Sequence, residues 1–201
     1  MNMNQKVKAG YNKAAKNYSS EFRDQFKNEK HLAKLVGALP PSSKVLDIGC
    51  GAGKPIDRYL ISRGMKVTGI DISEAQIELA KLYVPEANYE VRDMSELQDG
   101  EYQVDAVVSF YAIFHTPREN HLDLLKKFSS LLKPYGHLLI TMGASDWEGK
   151  EDNFFGAEMH WSHYGAEKNK ELIEEAGFEI IFSEVDNAGG EKHLVVLARA
   201  K

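Results

Sequence analysis

Three glycines and two aspartates carry the most specific chemistry in this chain. The run Val45-Leu46-Asp47-Ile48-Gly49-Cys50-Gly51-Ala52-Gly53 leads from an apolar strand into a glycine turn, and a second apolar strand ends on Ile70-Asp71. Without a Cβ, Gly49, Gly51 and Gly53 let the backbone turn sharply and approach a ligand. A carboxylate at the end of the next strand, Asp71, is placed to accept hydrogen bonds from ribose hydroxyls. The combination describes a nucleoside pocket. Its spacing is Gly-x-Gly-x-Gly, with Lys54 where the dinucleotide fingerprint Gly-x-Gly-x-x-Gly needs its third glycine, which argues against a bound pyrophosphate.

Asp47 separates the remaining ligands. A carboxylate beside a phosphate-binding turn is repelled by its ligand, whereas an α-ammonium group is attracted to one. S-adenosylmethionine carries an ammonium group at one end and an adenosine ribose at the other. The segment Asp47-x-Gly49-x-Gly51-x-Gly53 with Asp71 resembles the donor signature of class I S-adenosylmethionine-dependent methyltransferases. Further landmarks follow in order: Asp93-Met94 after Tyr89-Glu90-Val91-Arg92, the strand-like Val104 to Phe110, and the helix end, turn and strand of Leu131 to Ile140. The resemblance implies a Rossmann-like α/β fold with a seven-stranded, mostly parallel sheet, an antiparallel last strand and helices on both faces. It implies donor contacts from Tyr18, Asp47, Gly49, Cys50, Gly51, Gly53, Asp71, Ile72, Asp93, Met94 and Phe110, with S-adenosylhomocysteine as product. Two other function classes share part of the pattern. A nonenzymatic S-adenosylmethionine sensor would have an occluded acceptor side, and an NAD-dependent oxidoreductase would need pyrophosphate room that Asp47 and Lys54 oppose.

The elements that must position these residues are legible as alternating patterns. Lys44 to Ile48, Lys66 to Ile70, Tyr89 to Arg92, Val104 to Phe110 and His137 to Thr141 read as strands, with helices over Ile56 to Arg63, Glu74 to Tyr83 and Asn120 to Leu132. Such alternation predicts a parallel sheet covered on both faces. After Gly177 two strands follow in succession, Phe178 to Glu184 and His193 to Arg199. The turn Asp186-Asn187-Ala188-Gly189-Gly190 joins them, so they must be antiparallel. The 201 residues are expected to form one domain, with a lid region over 1–30 and a substrate-side loop insertion over 143–164.

Ligands of open α/β sheets sit beyond the carboxyl ends of the strands. After the fourth strand, Phe110-Tyr111-Ala112-Ile113-Phe114-His115 places Tyr111 and His115 toward the donor methyl. The segment 143–164 has no clear period and holds Trp147, Trp161 and His163. Tyr111, His115 and His163 are the candidate catalytic groups on the acceptor side, and Tyr11, Trp147 and Trp161 the candidate substrate contacts. Tyr11, Ala15, Tyr18 and Phe22 recur at helical spacing on one face of a lid or docked helix, and the Met1-Asn2-Met3 start reads as disordered. His160-x-x-His163 has the spacing of half a metal site, but no third ligand is specified and the flanking Trp161 points to packing, so no metal is assigned.

Composition narrows the acceptor. With 25 Lys and Arg against 30 Asp and Glu, a net charge of −5, there is no basic field for nucleic acid. The segment Met1 to Lys16 is polar, and no run approaches the roughly eighteen apolar residues of a membrane span, so a cytoplasmic protein without a membrane partner is expected. Cys50 is the one cysteine, which excludes internal disulfides and fits a small residue packed beside the ligand. A small-molecule acceptor remains, with a monomer and a homodimer equally open.

Overall fold

β-branched and aliphatic runs pair here because their side chains can be buried on both faces of a sheet. The computed structural model describes residues 2–22, 26–187 and 192–201, without the side chains of 19–22. Met1, the Phe22 ring and the turn residues Ala188, Gly189 and Gly190 therefore lie outside the described residues. In chain order the elements are α1 (Met3–Phe22), α2 (Glu29–Ala38), β1 (Lys44–Ile48), α3 (Ile56–Ser62), β2 (Lys66–Asp71), α4 (Glu74–Tyr83), β3 (Asn88–Val91), β4 (Val104–Ser109), α5 (His121–Ser130), β5 (Leu132–Gly143), β6 (Trp147–Phe154), β7 (Ala157–His163), α6 (Ala166–Glu175), β8 (Phe178–Asp186) and β9 (His193–Ala200).

Seven strands form the expected sheet in the order β3-β2-β1-β4-β5-β9-β8. β1 to β5 run parallel, and β9 is antiparallel to both β5 and β8. Alternation along β1 sends Leu46 and Ile48 to one core with Phe128, Leu138 and Phe178, and Val45 to the other with Leu35, Leu60 and Val108. The chain order reverses between β1 and β4, which opens a crevice beyond their carboxyl ends. The glycine turn and the segment from Phe110 to His115 border it.

Residues 143–164 are not an irregular loop. They fold largely as the antiparallel hairpin β6–β7, a separate two-stranded sheet with Trp147 paired to His163 and Gly149 to Trp161. Periodicity missed it because β6 is mostly exposed and charged, so only β7, with Ala157, Met159 and Ser162 buried, carries an inward face. α1 supports this hairpin at Gly10, where a Cβ would lie 2.9 Å from both the Glu158 carbonyl oxygen and Met159 Cε. A helix-interior glycine costs about 1 kcal/mol relative to alanine. The close approach to β7 explains its presence.

The start of α1 is ordered from Asn2. The Gln5 amide donates to Asn2 Oδ1 at 2.9 Å, and the Asn2 amide donates to Gln5 Oε1 at 3.1 Å, a reciprocal capping box. Met3 is the first helical residue, not part of a disordered start. Periodicity also passed over α2 and α6, whose buried faces rest on few apolar residues, Leu32 and Leu35 in one and Leu172 and Ile173 in the other.

Candidate active site

A single cavity of about 890 Å³ occupies the crevice and extends under α1 and the hairpin. Its two halves differ in chemistry. One half is the glycine turn. The amides of Gly49 and Cys50 both donate to the Ile70 carbonyl, at 2.8 and 3.0 Å, which ties the turn to β2. Gly49 has φ +80° and lies so close to Ala112 that a Cβ would stand 2.3 Å from the alanine Cβ. Gly51 has φ +54° but room around it, the nearest atom to a Cβ being Gln76 Oε1 at 4.0 Å.

Asp71 holds the turn as well as facing the cavity. Its Oδ2 accepts from the Gly51 amide and its Oδ1 from the Ser73 amide, each at 2.9 Å. Burial pushes its carboxyl up to about 6, and the two amide bonds offset part of that rise. Asp47, 1% exposed, also lines the cavity, and burial beside Asp57 holds its carboxyl well above the usual carboxylate range. Asp47 Oδ1 and both polar atoms of the Gln76 amide are buried at this wall without a hydrogen-bond partner. A buried unpaired polar atom costs roughly 1–3 kcal/mol. A ligand with an ammonium group and hydroxyls would satisfy them, so the donor set fits an adenosyl amino acid.

Tyr18, Cys50, Ile72, Asp93, Met94 and Phe110 also border the cavity. Asp93 is already engaged: Oδ1 accepts from the Ser95 amide at 2.9 Å, and Oδ2 accepts from Asn4 of α1 at 2.8 Å. Burial raises the Cys50 thiol well above its ordinary range, which keeps it unreactive. Gly53 is the exception among the expected donor contacts. It turns away from the cavity lining toward β3, where a Cβ would lie 2.5 Å from Tyr89 Oη, so packing rather than ligand approach demands glycine there.

The other half is aromatic and holds all the candidate acceptor-side residues: Tyr11, Tyr111, His115, Trp147, Trp161 and His163. Trp161 lies 5.5 Å from the His115 ring, 5.4 Å from Phe154 and 5.9 Å from Trp147, measured between centroids. Tyr18 of α1 lies 5.7 Å from Phe154 of the hairpin, centroid to centroid, which joins the helix to this wall. Tyr111 has φ +56° and reaches Asn28 of α2, whose amide donates to its hydroxyl at 3.1 Å. The His163 Nδ1 donates to the Ser145 carbonyl at 2.6 Å, and its ring fills the space a Gly143 side chain would need.

His115 is bonded on both ring nitrogens. Nδ1 faces the His160 carbonyl at 2.8 Å and must carry the hydrogen, which leaves Nε2 to accept from the Tyr11 hydroxyl at 2.8 Å. Burial lowers this imidazole to about 4 and raises the Tyr11 phenol, so at neutral pH the ring is a neutral acceptor and the phenol a donor. His115 is 7% exposed. Its folded value lies below the ordinary 6.5, so its neutral form is favoured by folding. The stability it contributes is complete above about pH 6.5 and is lost as pH falls toward 4, a change of about 3 kcal/mol. Asp71 and Asp57, both raised, act in the opposite sense over that window, because protonation relieves their burial. The comparison that isolates the histidine is urea unfolding of His115→Asn and the unaltered protein at pH 7 and pH 4. The variant should lose about 3 kcal/mol less on acidification, and parallel losses would contradict the buried neutral ring.

His160 and His163 do not converge on one ion. Three positions apart on β7, they leave opposite faces, and His160 Nε2 lies 2.7 Å from Glu158 Oε1. Among the described residues, the group with metal-ligand proximity is His31, Glu184 and Asp186, elsewhere in the fold, with Lys30 already paired to Glu184. Gln76, Asn28 and Asp57 escaped sequence reading because their place at the site comes from helix packing, with no local motif to mark it.

A family model described as a methyltransferase domain matches residues 20–182. The chain is 32% identical over 115 residues to a 27-O-demethylrifamycin SV methyltransferase of Amycolatopsis mediterranei, covering 53% of this chain and 42% of that protein. It is 32% identical over 116 residues to a ubiquinone biosynthesis O-methyltransferase of Alkalilimnicola ehrlichii, covering 55% and 45%. The chain thus spans about half the length of the curated relatives it matches. Among solved structures, Burkholderia thailandensis 1,6-didemethyltoxoflavin-N1-methyltransferase, with 1,6-didemethyltoxoflavin and S-adenosylhomocysteine bound, superimposes with a TM-score of 0.77 at 21% identity, over 98% of this chain and 88% of that one. The magnesium protoporphyrin IX methyltransferase of Synechocystis PCC 6803, with S-adenosylhomocysteine bound, gives 0.79 at 16% identity over 100% of both chains. At these identities the two structures share the fold.

Proposed function

The chain belongs to the class I S-adenosylmethionine-dependent methyltransferases, and from that premise we propose that it transfers the donor's methyl group to a small-molecule acceptor by in-line displacement at carbon. The observation that carries this reading is the division of one cavity into a polar glycine-turn half and an aromatic half. A continuous acceptor half is also what a nonenzymatic sensor would lack. When bound, S-adenosylmethionine supplies an activated methyl on a sulfonium leaving group.

The chain's own residues bind, align and exclude water. Asp71 holds the ribose hydroxyls, Asp47 and Gln76 the amino-acid end, and Ile72, Met94 and Phe110 the apolar faces around them. Alignment of a nucleophile with the S–C bond is worth up to about 7–11 kcal/mol, so no covalent intermediate with the protein is required. Tyr11, Trp147 and Trp161 form the acceptor wall, Tyr111 and His163 offer polar atoms to orient the nucleophile or take its proton, and His115, bonded on both ring nitrogens, can do so only by exchanging its bond to Tyr11. We assign 1–201 as one domain, 1–30 as its lid region and the 143–164 segment as its acceptor wall. Net charge −5 and a concave aromatic pocket favour a compact acceptor over a nucleic acid, and no helix among the described residues is long and apolar enough to cross a membrane.

The test is calorimetric titration with S-adenosylhomocysteine, followed by a metabolite screen for its release from S-adenosylmethionine. Absence of binding would overturn the reading. Once an acceptor is found, Trp161→Ala and His115→Ala should abolish or alter turnover with donor affinity held within a few-fold. Equal losses in turnover and donor affinity would mean these side chains hold the donor or the fold.

α1 reaches the domain through the buried Val7, Ala14 and Ala15 and through polar bonds between Asn4 and Asp93, Asn12 and Ser73, and Tyr11 and His115. Bound donor beneath it should therefore order it further. Hydrogen exchange across residues 5–22 is expected to slow with S-adenosylhomocysteine, and equal protection in both states would mark a permanently docked helix.

A further inference from the structure

Beneath the glycine turn, side chains from three elements meet in the interior. Asp57, in the first turn of α3, is fully buried, and its carboxyl group is in hydrogen-bond contact with that of Asp47 at the end of β1. The Tyr89 hydroxyl of β3 donates to Asp57 Oδ2 at 2.9 Å. Gly53 gives these groups their space, since a Cβ there would lie 3.3 Å from Asp57 Oδ2. One oxygen of each carboxyl, Asp47 Oδ1 and Asp57 Oδ1, has no hydrogen-bond partner, and Asp47 borders the cavity.

The other ionisable groups facing the pair are Asp71 from β2, the Cys50 thiol within the turn and the Tyr89 phenol from β3. The cations close by in sequence make contacts at Tyr83: the Lys54 ammonium lies 4.1 Å over its ring, and Arg58 donates to its carbonyl. Two carboxyl groups in contact away from water cannot both be ionised, so one proton is held between them.

We propose that Asp57 is a positioning residue of the donor site: it keeps a shared proton on Asp47 until the ammonium group of the incoming donor displaces that proton. The Asp47 O–H bond breaks, the proton leaves to solvent, and an ammonium N–H donates to the carboxylate. Asp57 stays ionised on the Tyr89 hydroxyl and keeps Asp47 facing the cavity. This rests on the donor assignment above. Burial holds the pair's proton to higher pH than an ordinary carboxylate, so donor affinity rises with pH until the proton is lost unaided.

The experiment is calorimetric titration of the whole chain with S-adenosylhomocysteine between pH 5.5 and 8, in buffers of different ionisation enthalpy, which counts protons released. The unaltered protein should release about one proton through the pair, in addition to any from Asp71, and Asp57→Asn, which leaves Asp47 its burial but removes its carboxylate neighbour, should release less at the same pH while still binding. Equal release by the two proteins, or none by the unaltered one, overturns the proposal. No binding at all would instead strike the donor assignment. If Asp57→Asn does not fold, Tyr89→Phe decides: without the hydroxyl that stabilises ionised Asp57, the pH of half-release should rise, and an unmoved midpoint overturns the proposal equally.

Discussion

Asp71→Ala is expected to weaken S-adenosylhomocysteine binding by about 1.5–3 kcal/mol, roughly ten- to more than a hundred-fold, because alanine cannot replace charge-assisted bonds to ribose hydroxyls. The geometry adds a second loss. The same carboxylate accepts the Gly51 and Ser73 amides, so its removal also loses one of the bonds that tie the glycine turn to β2, leaving the two to the Ile70 carbonyl. A stability loss should therefore accompany the binding loss. Asp71→Asn retains one acceptor oxygen and should lose less of each. Calorimetry on variants shown to be folded by circular dichroism checks this, and an unchanged dissociation constant in Asp71→Ala would refute the ribose assignment.

Gly49→Ala should be the more destructive change to the fold. The new Cβ would stand 2.3 Å from that of Ala112, and the residue holds φ +80°. Overpacking of about 1–3 kcal/mol and left-handed strain of about 1–2 kcal/mol give an expected loss of about 2–5 kcal/mol in urea unfolding. Adding Ala112→Gly should return the overpacking part and leave the strain. Gly51→Ala is the contrast. At φ +54° with open space it should lose only about 1–2 kcal/mol of stability. Its Cβ enters the cavity, so donor affinity should fall more than its stability does. Equal destabilisation by the two substitutions would mean the packing difference between them is not real.

The seven-stranded sheet and the glycine turn, with most of the residues that border the cavity there, were legible because they depend on short-range pattern. A glycine turn must follow its strand directly, Asp71 must end the next one, and buried parallel strands read as apolar runs. Gly53 stands in the same short pattern. Spacing groups it with Gly49 and Gly51, and only the packing of β3 shows that the space it leaves is filled by Tyr89.

On the acceptor side, residue types marked the aromatic and histidine candidates, while their relations came from the tertiary structure. The hairpin β6–β7 escaped because β6 has almost no buried face, and a strand without one leaves no period to detect. The bond between Tyr11 and His115 spans 104 positions, and the tautomer of that histidine is set by a carbonyl 45 positions away. The shared carboxyl pair joins β1 to α3, and its proton exists only because folding removes both groups from water. The sequence by itself determined the sheet, the glycine turn and the kinds of side chain around the cavity. The tertiary structure decided which side chains meet and which proton each holds, because contact, desolvation and hydrogen-bond partnership arise only when distant segments pack.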